Sequence, residues 1–206
     1  MNTSGIGSSL QIDFSQAIAS GDIQTLIQMI QGERVRLLDE QLVDQVKAVQ
    51  ARNDQIAKLN DVLSALTRFQ GAIKGTDAGS KIPDWNWDKV DQYEIPLNDA
   101  IRAAGVGDLG LKGAGRVTPE PGQSVDDGHG HVLYGQTNIC NSDTNKGQID
   151  AAITKIKGLI DAESNNQQMD MLRLQSLSNK KNESVEILTS TQKKQTDATS
   201  NIIRNF

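Results

Sequence analysis

The densest gathering of chemistry-bearing side chains is Asp126-Asp127-Gly128-His129-Gly130-His131, which holds both histidines of the 206-residue chain. Histidines at i and i+2 share a face of an extended strand. His129, His131 and Asp127 are therefore weak candidates for a metal site, with Cys140 as a further ligand. Short Gly/Asp/His clusters are also ordinary solvated turns, and no metal is expected. A single cysteine rules out an intramolecular disulfide and any multi-cysteine site. Gly105, Gly107 and Gly110 match GxGxxG in letters, but they follow a helical pattern and no βαβ unit surrounds them, so the dinucleotide fingerprint fails its context. No Ser/His/Asp or Cys/His arrangement has supporting context either. The expectation is a protein without catalytic residues or cofactor.

The elements around these residues are unevenly composed. Residues 71–148 contain all 4 Pro, both Trp, both Tyr and 13 of the 18 Gly. The flanks, 22–70 and 148–206, contain no Pro and almost no rings. Helix breakers are thus confined to a central insert, leaving the flanks free for long helices. Within the insert, Ile95–Ala104 predicts a short helix, with Pro96 in its first turn and Gly105 as its stop. Gly130–Ile139 predicts a strand that could pair with Arg116–Thr118. Trp85, Trp87 and Tyr134 are possible partner contacts, because exposed rings dominate binding hot spots; local packing of the insert is the plainer reading of the two tryptophans.

The first flank begins at Asp22, a candidate N-cap. Ile23, Leu26, Ile27 and Ile30 follow at helical spacing. A heptad register then places Val35, Leu42, Val49, Ile56 and Leu63 at a, and Leu38, Gln45, Arg52, Leu59 and Leu66 at d. Gly32 predicts a break or kink. The second flank starts near Lys146–Gly147. Ile149, Ile153, Ile156 and Ile160 form an apolar stripe, and Glu163, Gln167 and Asp170 continue the register with polar residues. Glu163–Gln168 (ESNNQQ) is a poor helix former and predicts a loose or kinked stretch. The apolar pattern resumes with Met171, Leu174, Leu177, Val185, Leu188 and Ile202. The Ser/Thr/Asn/Gln/Lys-rich end has little to stabilise it alone, since helices gain stability mainly from packing.

Composition limits what such a chain can be. Aromatics are 3% and hydrophobic residues 36%, against roughly 45–50% apolar in ordinary domains. Seven rings are few for a large compact core, which disfavours a TIM barrel, a β-sandwich or a typical α/β enzyme. The net charge of −5 offers no attraction to nucleic acid or anionic lipid. No run approaches the roughly 18 apolar residues of a membrane span. The N-terminal MNTSGIGSSLQIDFSQAIAS has neither the basic start nor the apolar core of a secretory signal.

The expected fold is mainly α: a long antiparallel coiled-coil hairpin with a central irregular α+β insert domain. Its parts are an N-terminal segment (1–21), read either as a disordered tail or as an uncleaved export signal, a first arm (22–70), the insert (71–147) and a second arm (148–206). Val35, Leu42, Val49, Ile56, Leu59, Leu63, Leu66, Ile149, Ile153, Ile156 and Ile160 are the expected intramolecular core.

The stretch QQMDMLRLQSLSNKKNESVEILTSTQKKQTDATSNIIRNF resembles the C-terminal helix of type III secretion needle-tip and tip-filament proteins. LNDVLSAL (Leu59–Leu66), IPLNDAIRAAG (Ile95–Gly105) and the Trp85 region resemble the Bordetella-type tip-filament proteins, as do overall length and layout. The likeness covers most of 22–206, is strongest in Gln167–Lys181 and Leu59–Leu66, and is weakest in 106–147. It implies a secreted, non-enzymatic protein at the tip of the needle on the bacterial surface. Such proteins cap or extend the needle by self-association and support insertion of the translocator pore into the host membrane. The implied partners are further copies of itself, the needle subunit, the translocator pore proteins and a cytosolic chaperone before export. Leu174, Leu177, Val185, Leu188, Ile202 and Ile203 are the residues expected to carry self-assembly. The alternative is a cytosolic helical-hairpin secretion chaperone or regulator.

Overall fold

A computed structural model describes residues 18–19, 21, 23–107, 109–111, 124–126, 132–134 and 139–204. The protein is mainly helical, with one long helix packing on another. Helix α1 is Ile23–Ala72. A single turn, α2 (Trp87–Lys89), passes into a π-helical turn, Val90–Glu94, and then into α3 (Ile95–Ala104). Strands β1 (Ser124–Asp126) and β2 (Val132–Tyr134) precede α4 (Lys146–Arg204). The candidate N-cap Asp22 lies outside the described residues.

Two sequence expectations about helix continuity are corrected. α1 runs through Gly32 without a break, and α4 runs through Glu163–Gln168 without one. A single glycine costs about 1 kcal/mol against alanine and Ser or Asn about half that, small penalties once a helix is packed on a neighbour. The strand expectation is also revised. β2 lies inside Gly130–Ile139, but its antiparallel partner is β1, in the register Ser124↔Tyr134, Val125↔Leu133, Asp126↔Val132. Pairing with the nearer segment closes a shorter loop. Arg116–Thr118 lies outside the described residues.

The chain divides into two compact units. One is Met1–Val49 with Gln168–Phe206; the other is Gln50–Gln167. The insert is therefore grouped with the parts of α1 and α4 nearest to it.

Nearly all the apolar core belongs to Gln50–Gln167. α1 supplies Leu59, Val62, Leu66 and Phe69, with Ile73 just past its end; α3 supplies Leu97, Ile101 and Ala104, and α4 supplies Ile149, Ala152 and Ile156. Each set recurs at steps of three and four, one apolar face per helix. Val62 and Phe69 are g positions, outside a simple a/d seam, and they are buried because the insert gives α1 a second surface to cover. The a positions Ile56 and Leu63, with Ile153 and Ile160, are only half-buried. Phe69 contacts Trp85 at 6.1 Å and Tyr93 at 6.3 Å between ring centroids. Arg68 and Lys89 lie over the Tyr93 ring. Trp85 thus belongs to the packing of the insert on α1.

Polar groups fix the connections. Asn145 and Gln148 form a reciprocal capping box at the start of α4: the Gln148 amide donates to Asn145 Oδ1 and the Asn145 amide to Gln148 Oε1, both at 3.0 Å. The amides of Lys146 and Gly147 donate to the carbonyls of Ser80 and Ala78 at 2.8 Å. A Cβ at Gly147 would come within 3.2 Å of the Ala78 Cβ, which explains a glycine in a helix's first turn. Buried Asn98 accepts the amides of Ile139 and Cys140 at 3.1 and 3.0 Å and so anchors the approach to α4 on α3.

The glycine-rich run after α3 serves a turn. Gly105, Gly107 and Gly110 all have positive φ, and the Gly105 amide closes α3 on the carbonyls of Ile101 and Arg102. Leu109 also takes a positive φ of 55°. That conformation is strained for a non-glycine residue, and it is held while Leu109 and Leu111 are buried in the core.

Candidate self-association surface

In the unit of Met1–Val49 with Gln168–Phe206, α1 and α4 run antiparallel. Gln28 Nε2 donates to Gln195 Oε1 at 2.7 Å, Lys181 Nζ lies 2.5 Å from Asp39 Oδ1, and Gln45 Nε2 reaches the Asp170 carbonyl at 3.4 Å. The α4 positions turned inward are Asp170, Leu174, Leu177, Lys181, Ser184, Leu188, Thr191 and Gln195, all buried or half-buried. Their steps of four and three continue the register of Ile149, Ile156, Ile160, Glu163 and Gln167 unbroken. Leucine occupies only three of these inward positions; Asp, Lys, Ser, Thr and Gln fill the others and offer little apolar surface.

The consequence is a thin core. Among the described residues of this unit, Leu38, 8% exposed, is the one large apolar side chain that is buried; Val35, Leu42 and Val49 are half-buried. Ser184 is completely buried and its hydroxyl donates back to the Lys180 carbonyl at 2.8 Å. Asp170 is 5% exposed, with Arg173 3.6 Å away. Gln31 Oε1 is buried without a hydrogen-bond partner among the described residues, a deficit that typically costs about 1–3 kcal/mol.

The residues expected to carry self-assembly fall into three groups. Leu174, Leu177 and Leu188 are half-buried and face inward. Val185 and Ile203 are exposed, Ile203 at 71%. The side chain of Ile202 lies outside the described residues. On α4, Ser184 occupies the inward position while its neighbour Val185 faces outward, as does Met171 beside inward Asp170; the unbroken 4-3 register from Ile149 identifies the inward residues without regard to polarity.

Outside the pair, apolar side chains are left in water. On α1, Ile23, Ile27, Ile30 and Leu37 are exposed at spacings of four, three and seven residues, one stripe along the helix. On α4, Met171, Val185 and Ile203 are separated by about four and five helical turns and share a face. Beside the α1 stripe, Arg36 joins Glu33 and Glu40 at 2.5 Å each. The Arg36 hydrogen bond holds the Glu33 carboxyl below the usual carboxylate range, and Glu33 in turn raises the guanidinium.

In the Gln50–Gln167 unit, Arg52 Nη1 meets Glu163 Oε2 at 2.5 Å, and Gln167 Nε2 donates to Asn53. The polar d residue Arg52 and the polar stripe on α4 therefore answer each other. At the far end of this pairing, Asp150 accepts from both Gln70 and Lys146. Those bonds, the Lys146 one foremost, hold its carboxyl below the usual range.

Of the metal candidates, His129, His131 and Asp127 lie outside the described residues. Among the described residues no group of three His, Cys, Asp or Glu is placed to hold a metal. Cys140 is fully buried, its thiol 3.8 Å from the Glu94 carbonyl oxygen, and burial pushes its pKa well up. It is a core residue with a suppressed thiolate. Trp87 is half-buried, and Tyr134 is described in its backbone alone. A groove of about 270 Å³ runs beside α1, lined by Asp61, Ser64, Ala65, Arg68, Tyr93 and Pro96. No described helix is long and apolar enough to cross a membrane.

Compared with protein-family models, curated proteins and solved structures, the chain gives no significant match.

Proposed function

We propose that this chain is a structural protein of a type III secretion system. In this reading it is exported to the needle tip at the bacterial surface, where it caps or extends the needle by self-association. It supports insertion of the translocator pore into the host membrane, and its partners are further copies of itself, the needle subunit, the pore proteins and a cytosolic chaperone before export. The α1–α4 pair serves as a coiled-coil hairpin and the segment between them as a small mixed α+β head.

One observation carries this reading. The run that resembles tip and tip-filament proteins, MDMLRLQSLSNK (Met169–Lys180), lies in the part of α4 that has a thin, polar seam with α1 and keeps Met171 exposed. A helix so weakly buried in its own chain is suited to contacts with other copies, where added apolar area supplies what the single chain lacks.

The test removes Asn182–Phe206 and compares the mass of the truncated and complete proteins by light scattering. The complete chain forms large species, seen as filaments or rings by electron microscopy, and the truncated chain does not. Identical species from both would reject the assembly role of α4. Location provides the second measurement: a tip protein enters the medium under secretion-inducing conditions, whereas a chaperone stays in the cytosol.

A further inference from the structure

Three observations concern α4 between Glu163 and Arg204. The stretch Glu163–Gln168, with Ser164, Asn165 and Asn166 in succession, lies where the chain divides into its two compact units, between Gln167 and Gln168. On one side of that division, Arg52–Glu163 and Asn53–Gln167 join α4 to α1 beside a deep apolar core. On the other side, 168–204 meets 23–49 through the Gln28–Gln195, Asp39–Lys181 and Gln45–Asp170 bonds and, among the described residues, one buried large apolar side chain, Leu38. Segments with little buried apolar surface open at low free energy, independently of a well-packed neighbour.

We propose that α4 beyond Gln167 is an exchangeable arm: it leaves the 23–49 face of its own α1 and pairs with that face on a second copy of the chain. The occupant of each face is defined by what already covers it. Gln195, Lys181 and the Asp170 carbonyl of one copy meet Gln28, Asp39 and Gln45 of the other, so exchange re-forms in trans each of the bonds broken on opening. Swapping an identical element between copies is a low-cost route to association for this reason. The bend falls at the division after Gln167, beyond the Arg52–Glu163 and Asn53–Gln167 contacts that hold the preceding turn on α1. If a copy gives its arm to one neighbour and accepts an arm from another, the association is head-to-tail and propagates. The proposal rests on the self-association reading and names its mechanism.

The test locks the arm. Asp39→Cys and Lys181→Cys in one chain, joined by a short bis-maleimide at low protein concentration, tether α4 to its own α1. Cys140, buried and with a suppressed thiolate, is spared by the reagent. Circular dichroism of the tethered monomer verifies that its helices are intact. The expected result is that the tethered protein stays monomeric at every concentration, whereas the same double variant blocked with a monofunctional maleimide associates. A 1:1 mixture of the two single variants, assembled and then treated, yields covalent dimers. If the tethered protein associates as well as the untethered one, exchange is wrong and copies meet through exposed faces such as Ile23–Leu37. If the native chain itself never exceeds monomer mass, the self-association reading falls and exchange falls with it.

Discussion

Arg52 on α1 donates to Glu163 on α4 at 2.5 Å, joining the polar d position of one helix to the start of the polar stretch of the other. Both side chains keep nearly a third of their surface in water, 27% and 30%. Solvent screening therefore limits what the pair contributes. A double-mutant cycle with Arg52→Ala and Glu163→Ala, read from urea unfolding midpoints, should give a coupling of about 0.5–1 kcal/mol. The coupling should shrink in 1 M salt, where the screening length falls to about 3 Å. A coupling insensitive to salt would show that the two residues act through packing.

Phe69 is the ring around which the insert is assembled. Phe69→Ala should destabilise by about 3–5 kcal/mol, the range for a fully buried aromatic. Leu37→Ala, on the exposed stripe, should stay within about 0.5 kcal/mol. Equal effects would contradict the separation between a core face and an outward stripe on α1.

The Asn145–Gln148 capping box should be worth about 0.5–2 kcal/mol, measured as the loss on Asn145→Ala by chemical denaturation. Asn145→Asp should retain most of it, because a carboxylate caps as well and favours the positive end of the helix dipole. A loss with Asp equal to that with Ala would remove the cap from the account of α4.

Asp150 makes part of the stability pH-dependent. Its folded pKa is depressed by Lys146 and Gln70. The sign follows: its stabilisation is present above the unfolded carboxylate value of roughly 3.9 and is lost as pH falls through the lower folded value. Asp150→Asn should therefore be less stable than the native chain at neutral pH, with the difference closing in acid. A difference that persists unchanged in acid would mean that its charge is not the cause.

Amide hydrogen exchange should separate the two units. Amides in 168–204 and 23–49 should exchange well before those around Leu59–Phe69 and Ile149–Ile156, because a region with little buried apolar surface opens on its own. Uniform protection along α4 would indicate one cooperative structure and would also count against an exchanging arm.

Much of the helical layout was legible in the residues. Confinement of Pro, Trp and Tyr to the insert marked the two long helices, and Ile95–Ala104 with Pro96 and Gly105 marked α3 to the residue. Local signals succeed there because capping, φ restriction and the 3.6-residue period act within a few residues of chain. The candidate surface was less legible. The register from Ile149 already carries Glu163, Gln167 and Asp170 and runs on to Ser184, whereas the apolar pattern moves to Met171 and Val185, which the structure leaves exposed. Once two helices are paired over many turns, geometry assigns each later position, and a polar residue in the register is carried inward with the rest.

The sequence by itself determined where helices can run, where they must stop and which stripes are apolar, for these follow from backbone restriction and periodicity. Tertiary structure decided the rest. It buried Val62 and Phe69 because the insert gives α1 a second face. It kept α4 helical through ESNNQQ because packing outweighs about half a kcal/mol per poor helix former. It divided the chain between a deep core at Gln50–Gln167 and a thin polar seam at its ends, since which side chains meet across more than a hundred residues depends on the pairing of the helices.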